Sequence, residues 1–284
     1  MPLPVDLDVA ATFGRFSRSG DDLLDRWDGR VLARCARVAG RVVPFAAVVD
    51  GGLLRIQAAR QDDLPAAVAA ASSMVEPFPL AWAALLAGDE RLAALAARYA
   101  GLHAVRTSDP FVALVSAISA QQVNLRWAAT TRSRVASAYG APVVVGDTTV
   151  YVIDVERLAA AEVADLRALQ LTTAKAVALI GLAGAVKAGE LDFDYLSALD
   201  GPAVVETLVR LRGIGPWTAE WYLARVLGRP VVVAGDLAVR KAVGLLYGEP
   251  APTSARTVEL TGHWGTSALH AQQLVLHALG EGAL

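Results

Sequence analysis

The stretch that decides the fold is Leu211-Arg212-Gly213-Ile214-Gly215-Pro216-Trp217-Thr218-Ala219. Gly213 can adopt the positive φ that ends a helix, which lets Ile214 point back into a core. Gly215 and Pro216 then begin a second helix, whose first N–H groups lack partners within that helix. The stretch therefore predicts a helical hairpin, at about residues 202–227, that can bind one backbone phosphate without reading a base. For a Gly-x-Gly taken alone, an ordinary tight turn between two helices is the alternative.

A second informative stretch follows the hairpin. It reads Gly228-Arg229-Pro230-Val231-Val232-Val233-Ala234-Gly235-Asp236, and an apolar pattern typical of a helix comes next. Taken alone, Asp236 is most simply the N-cap of that helix, because Asp commonly precedes an apolar-periodic run.

Together, these two stretches closely resemble the helix-hairpin-helix DNA glycosylases of base excision repair, the HhH-GPD superfamily. That superfamily is named for this hairpin, a Gly/Pro-rich loop and a catalytic aspartate. The resemblance implies that Asp236, 19 residues beyond Trp217, is the catalytic residue, and the same side chain can also cap its helix. Residues 109–123 are similar to the family helix that leads to the DNA-inserting loop. Residues 166–179 resemble the helix pair that precedes the hairpin.

The N-terminal third of the chain differs from the remainder in its apolar pattern, which is typical of short strands rather than helices. Residues 30–38, 41–49 and 53–57 read as strands of an antiparallel sheet, with Asp50-Gly51 as a hairpin turn. Residues 21–27 suggest a short helix before this sheet, and residues 62–74 a helix after it. Among the HhH-GPD glycosylases, the AlkA-type 3-methyladenine DNA glycosylases II carry such an extra domain. The expected fold is therefore mostly α, with an N-terminal antiparallel α+β domain (1–75) on a helical glycosylase core (76–284).

Start signals define the helices of the core. Asp109-Pro110 begins a helix that is expected to run past Trp127. Two short valine-rich runs, 143–145 and 150–153, flank a turn and predict a small hairpin between helices. The remaining expected N-terminal signals are Asp154, Thr172 or Thr173, Gly201-Pro202, Pro216 and Asp236.

Position 217 bears on the reaction type. In members of the superfamily that also cut the DNA strand, this place holds a lysine whose amine forms a Schiff base with the sugar. Trp217 has no nucleophile, so the resemblance implies a monofunctional glycosylase. The single cysteine, Cys35, excludes a four-cysteine iron–sulfur cluster, and no cofactor is expected.

The chemistry of the bond indicates what the site must supply. Breaking an N-glycosidic bond creates positive charge on the sugar, which a fixed carboxylate can stabilise while it orients or deprotonates water. Bases of the 3-methyladenine and 7-methylguanine type already carry positive charge and need an electron-rich pocket. Trp217 and Trp221 share one helix face and are expected to stack such a base, with Tyr222 and Phe111 as weaker candidates. A buried core stripe is the alternative for these aromatic residues. Leu237 departs from the Tyr that the best-known AlkA-type enzymes place there, so the lesion range stays open.

The DNA-facing residues rest mainly on the resemblance. Gln122 occupies the place from which the family inserts a side chain into the duplex, and Gln121 is its neighbour. The other expected DNA contacts are Gly213, Ile214, Gly215, Thr218, Lys175 and Arg240. The resemblance also implies a possible Na⁺ or K⁺ at the carbonyls of Leu211 and Ile214.

Composition and net charge exclude several other classes of protein. Of the 284 residues 55% are hydrophobic and 19% charged, which excludes a disordered or fibrous protein. The net charge is −2, yet residues 210–241 contain six basic and two acidic side chains, which predicts a local basic patch for double-stranded DNA. No apolar run reaches the ~18–20 residues of a membrane span, and no export signal is evident, so we expect a cytoplasmic monomer without an obligate protein partner.

The rival functions are excision of neutral lesions (hypoxanthine, uracil or ethenoadenine) and non-catalytic binding of damaged DNA.

Overall fold

A computed structural model of the chain describes residues 1–4 and 6–284. Two antiparallel sheets and a large set of helices make up the described residues. The strands are β1 Arg26–Trp27, β2 Val31–Val38, β3 Arg41–Asp50, β4 Leu53–Ala58, β5 Gly140–Val145 and β6 Thr148–Ile153. The helices are α1 Val9–Phe13, α2 Leu64–Ser72, α3 Trp82–Gly88, α4 Glu90–Arg98, α5 Pro110–Ala120, α6 Leu125–Tyr139, α7 Val155–Ala159, α8 Val163–Ala168, α9 Thr173–Lys187, α10 Phe193–Ala198, α11 Gly201–Val209, α12 Pro216–Arg225, α13 Leu237–Tyr247, α14 Ser254–Thr261 and α15 Ala268–Gly280.

The first sheet has the order β1-β2-β3-β4, with every neighbouring pair antiparallel, so the predicted N-terminal sheet is confirmed. Its central strands are buried on both faces rather than on alternate residues. One face packs on α1 and α2 through residues such as Phe13 and Met74, and the other packs on β5 and β6 through Val145 and Val150. Because both faces are covered, β3 is apolar from Val42 to Val49, and β2 is apolar apart from Arg34 and Arg37. The core on the helix side also includes Val105, beyond the expected boundary at residue 75.

Two of the expected helices are wrong. Residues 21–27 form no helix, since residues 23–25 are bends and 26–27 belong to β1. The carboxylates of Asp21 and Asp22 each accept the N–H group two residues on, and Leu23 adopts a positive φ of 68°. The helix that begins at Pro110 also ends early, at Ala120, and α6 begins separately at Leu125 with Asn124 as its N-cap. The break brings Gln122, with φ 55°, to the tip of a short loop.

The helices form two apolar clusters, and α12 lies where they meet. The first cluster is formed by the run of helices from α5 through α12, and its buried members include Leu179, Leu208 and Tyr222. The second joins α3, α4, α13 and α15, and Trp221 packs against its edge. Adjacent residues of α12 therefore face different clusters, since successive side chains point about 100° apart around a helix. The candidate site forms along this boundary. None of the helices built from the described residues has the length and hydropathy that crossing a bilayer requires.

Two buried imidazoles join the N-terminal part of the chain to α15. His103 Nδ1 and His270 Nε2 both lie within hydrogen-bond distance of the Glu76 carbonyl oxygen, at 2.9 and 3.2 Å. A carbonyl only accepts, so each imidazole donates there, and the remaining nitrogen of each has no hydrogen-bond partner among the described residues. Burial lowers the pKa of His270 to about 4, although the carbonyl partly opposes this shift.

This burial predicts a loss of stability in acid. In the unfolded chain His270 takes up a proton below pH ~6.5, whereas in the folded chain it does so only near pH 4. The stability that comes from keeping His270 neutral is fully present above pH 6.5 and is lost as the pH falls toward 4. The free energy of unfolding decreases by up to about 3 kcal/mol over this range.

Urea unfolding of the wild type and of His270→Gln at pH 7, 5.5 and 4.5 checks this. The glutamine amide can still donate to the Glu76 carbonyl but does not titrate. We expect the stability difference between the two proteins to move in favour of His270→Gln as the pH falls. A difference that stays constant over this range would contradict the prediction.

Candidate active site

Asp236 caps α13. Its Oδ1 accepts hydrogen bonds from the backbone N–H groups of Ala238 at 2.8 Å and Val239 at 3.1 Å. The capping interpretation of this residue is therefore confirmed. Capping uses only one of the two carboxylate oxygens.

The second oxygen of Asp236 is held by two tryptophans. Trp217 Nε1 donates to Oδ2 at 2.9 Å, and Trp221 Nε1 donates to the same atom at 3.1 Å. Both indoles reach it because they lie one turn apart on α12. Four N–H groups thus fix a half-buried carboxylate in one orientation. The structure brings together the predicted acid and the predicted aromatic pair, although it is the edges of the indoles that meet the acid.

The other two aromatic candidates lie elsewhere. Phe111 is 1% exposed and Tyr222 is 2% exposed, and both pack in the first helical cluster. Tyr222 lines a groove of about 720 Å³ whose lining does not include Asp236. The expectation that they line the base pocket is corrected, because Tyr222 follows Trp221 by one residue and so faces away from it.

The hairpin has the expected shape. Gly213 has φ 85°, Ile214 is 4% exposed in the first cluster, and Gly215 is the N-cap of α12 without a side-chain cap. The N–H groups of Gly215, Trp217 and Thr218 have no acceptor among the described residues. Free N–H groups at the positive end of a helix dipole suit an anion, so the phosphate interpretation stays a prediction with compatible geometry.

Gln121 has a different position from the one expected for a DNA contact. Its Nε2 donates to the Gly213 carbonyl at 2.9 Å and to Thr218 Oγ1 at 3.3 Å. Thr218 is 1% exposed, so its hydroxyl faces Gln121 rather than solvent. Gln121 and Thr218 therefore join the end of α5 to the hairpin, which leaves the exposed Gln122 as the glutamine free to enter a duplex.

Both cations predicted to contact phosphate are already engaged within the protein. Lys175 is 8% exposed and its Nζ donates to the Ser119 carbonyl at 2.8 Å, near the C-terminal end of α5. Burial lowers the pKa of this amine. Arg240 is partly buried, and its Nε donates to the Pro252 carbonyl at 2.7 Å. Lys175 is too buried to reach a phosphate at the surface, so its predicted role is corrected to a structural one. Arg240 keeps the donors of both terminal guanidinium nitrogens, so its phosphate contact stays a prediction.

The cation implied at the hairpin carbonyls stays a prediction. The Leu211 carbonyl accepts the N–H of Ile214 at 3.1 Å, whereas the Ile214 carbonyl accepts no hydrogen bond from the described residues. A monovalent ion there would share only the Leu211 oxygen with a present donor.

Arg225 is the residue that sequence reasoning missed. Its guanidinium carbon lies 4.9 Å from the ring centroid of Trp221, and its Nη1 donates to Gln273 Oε1 at 2.7 Å. The signal was present, since positions 217, 221 and 225 form one stripe at four-residue spacing along α12.

The family model described as HhH-GPD superfamily base excision DNA repair protein matches residues 115–264, more than half of the chain. The chain belongs to this superfamily. Its match covers α6 to α13 in full and so includes the hairpin, the Gly/Pro-rich loop and Asp236.

Several known proteins are similar to this HhH-GPD protein. A DNA-3-methyladenine glycosylase of Bacillus subtilis is 28% identical over 172 residues, which are 60% of this chain and 57% of that protein. The chain thus spans little more than half the length of that relative. The structure of a 3-methyladenine DNA-glycosylase from Archaeoglobus fulgidus has a TM-score of 0.85 at 22% identity and covers 98% of this chain and 97% of its own. An 8-oxoguanine glycosylase/lyase of Clostridium acetobutylicum, in complex with double-stranded DNA, has a TM-score of 0.74 at 18% identity, with 98% and 93% coverage. These two structures show that the fold extends over nearly the whole chain.

The hairpin geometry predicts that replacing its two glycines by alanine lowers the stability of the protein by different amounts. At Gly213 the φ of 85° strains any other residue, and a Cβ would lie 2.4 Å from the Cβ of Ala178. We expect Gly213→Ala to lower the free energy of unfolding by about 1–3 kcal/mol. Gly215 has φ −102° and no heavy atom within 4 Å of an added Cβ. Gly215→Ala should therefore cost less than about 1 kcal/mol. Urea unfolding of both variants measures the difference, and equal stabilities would show that the turn is not strained in this way.

Proposed function

We propose that this HhH-GPD protein is a DNA glycosylase that hydrolyses the N-glycosidic bond of alkylated bases flipped out of duplex DNA. The bases we propose are of the 3-methyladenine and 7-methylguanine type. The Asp236 carboxylate, oriented by two indole N–H groups that begin one turn from the unpartnered N–H groups of the hairpin, is the observation that carries the proposal. The name of the Bacillus relative supports the same substrate class.

The proposed reaction uses Asp236 directly. As the bond from C1′ to the base nitrogen breaks, positive charge builds on the sugar, and the carboxylate stabilises it. The same group can orient or deprotonate the water that then bonds to C1′. Half-burial strengthens this attraction, because the local dielectric constant is lower than that of water. The unused N–H groups at Gly215, Trp217 and Thr218 would hold the DNA backbone while the chemistry proceeds.

The proposed partner is double-stranded DNA carrying a damaged base, bound by a monomer without an obligate protein partner. The hairpin segment has the required local positive charge within a chain of net charge −2. Because such binding releases counterions, its affinity should fall as salt rises.

Replacing Asp236 by Asn tests the catalytic role. The side-chain oxygen of Asn can still cap α13, but its NH₂ group cannot accept the two indole N–H donors and carries no charge. We expect Asp236→Asn to lower base release by at least about 100-fold, with DNA binding largely retained. Single-turnover release from a duplex containing 7-methylguanine, together with a filter-binding titration and a thermal melt, measures all three properties. Unchanged release would reject the mechanism and favour a non-catalytic DNA-binding protein.

A trapping experiment tests the monofunctional part of the proposal. Trp217 supplies no amine for a Schiff base with the sugar, and the buried amine of Lys175 is bonded to the Ser119 carbonyl. Incubation with an abasic duplex and borohydride should therefore produce no covalent protein–DNA adduct. A bifunctional glycosylase/lyase treated in parallel is the positive control. An adduct formed by this chain would show that it also acts as a lyase.

A further inference from the structure

The inner wall of the candidate site contains a cation. Arg225 lies one turn beyond Trp221 on α12, with its guanidinium carbon 4.9 Å from the centroid of the indole ring. Gln273, which is 6% exposed on α15, holds the guanidinium through a hydrogen bond of 2.7 Å. The backbone carbonyl of Arg225 also accepts the N–H of Thr107 at 2.7 Å, so both ends of the residue are fixed.

The charge on Arg225 is not neutralised locally. Its side-chain hydrogen-bond partner, Gln273, is neutral, and no described carboxylate forms an ion pair with it. Burial lowers the pKa of the guanidinium well below its usual value, and the charge of Arg15 adds to this effect, while Asp236 opposes it. A guanidinium nevertheless remains protonated at neutral pH. The field of Arg225 therefore reaches across Trp221 toward Asp236.

We propose that Arg225 is a specificity residue that favours damaged bases without positive charge over cationic ones, acting through the ring of Trp221. This inference rests on the proposed glycosylase function. It concerns the balance between cationic and neutral purine adducts, the two lesion classes that the sequence leaves open.

The first part of the argument concerns binding. A base that stacks on Trp221 must use the face that Arg225 does not cover, so the ring lies between the base and the guanidinium. For a cationic base, attraction to the indole is offset by repulsion from the like charge on the far side of the ring. A neutral base keeps its stacking energy and meets no such repulsion.

The second part concerns bond cleavage. When the bond from C1′ to the base nitrogen breaks, its electron pair goes to the base. A cationic base then leaves as a neutral molecule, whereas a neutral base leaves as an anion that takes a proton from solvent. The sugar cation accepts the oxygen of water, and the proton released goes to Asp236 or to solvent. The base gains one negative charge in either class, so the guanidinium lowers the barrier from the bound complex in both. For a cationic base this gain only returns the repulsion met on binding. For a neutral base it is a net gain, so relative to free DNA Arg225 assists the neutral class.

Substitutions at and beside Arg225 test this role. Arg225→Met removes the charge and keeps an unbranched side chain, whereas Arg225→Lys keeps the charge. Gln273→Glu leaves the guanidinium over Trp221 and places a carboxylate against it. Single-turnover release rates are measured with enzyme in excess of DNA but well below saturation, so that they report binding and cleavage together. Two duplexes are used, one with hypoxanthine and one with 7-methylguanine. We expect the ratio of neutral to cationic base release to fall about tenfold in Arg225→Met and Gln273→Glu, and less than about threefold in Arg225→Lys.

The ratio separates a charge effect from general damage, because a misplaced Trp221 would slow release of both bases. A ratio equal to that of the wild type in both Arg225→Met and Gln273→Glu would overturn the inference. If a thermal melt shows that Arg225→Met is unfolded, Gln273→Glu alone decides, since it retains the arginine. A wild-type protein that releases 7-methylguanine but no hypoxanthine would also overturn the inference, whereas one that releases neither base would contradict the proposed function itself.

Discussion

The rest of the site depends on one carboxylate, that of Asp236, which accepts hydrogen bonds from four N–H groups. A carboxylate removed from water is costly unless hydrogen bonds replace its hydration, and Asp236 receives them from the first turn of α13 and from two indoles of α12. Both helices must therefore meet at a fixed angle and height. The hairpin sets the start of α12, the loop of residues 228–235 sets the start of α13, and the two helical clusters hold them there. The acid is positioned by the fold as a whole rather than by one local motif.

Helix α12 serves several purposes because each of its faces meets a different environment. Its N-terminus presents unpartnered N–H groups, one face carries Trp217 and Trp221 to the acid, and the adjacent face buries Tyr222 in the first cluster. Ten residues span only about 15 Å, so the predicted phosphate contact and the acid lie within the length of a few nucleotides. Compactness of this kind suits a reaction in which the backbone is held while a single nucleotide turns outward.

The sequence predicted well whatever depends on neighbouring residues. Asp109 and Asp236 cap their helices, Pro110 and Pro216 begin theirs, and the strand pairs match their turn signals, since each depends on a few adjacent side chains. Two failures at the candidate site involve partners far along the chain. Gln121 bonds to a carbonyl 92 residues away, and Lys175 to one 56 residues away, so periodicity could not reveal that they are engaged. The break at Gln122 was missed because glutamine gives no local signal for a positive φ. Trp217 and Trp221 do lie beside Asp236, as the shared helix face suggested. That their N–H edges face the acid depends on how α12 is rotated, which only packing determines.

The amide of Gln121 has a mechanical consequence. By joining the end of α5 to the hairpin, it fixes the spacing between the exposed Gln122 and the free N–H groups at Gly215 before any DNA is present. Under the proposed function, a duplex that contacts both points conforms to this fixed separation, and the cost of any bending depends on how strongly adjacent base pairs stack. Under the proposed function, sites where stacking is already weakened are engaged at lower cost than intact ones. Part of the discrimination between damaged and normal DNA would then depend on the local deformability of the double helix, before any base reaches Trp217 and Trp221.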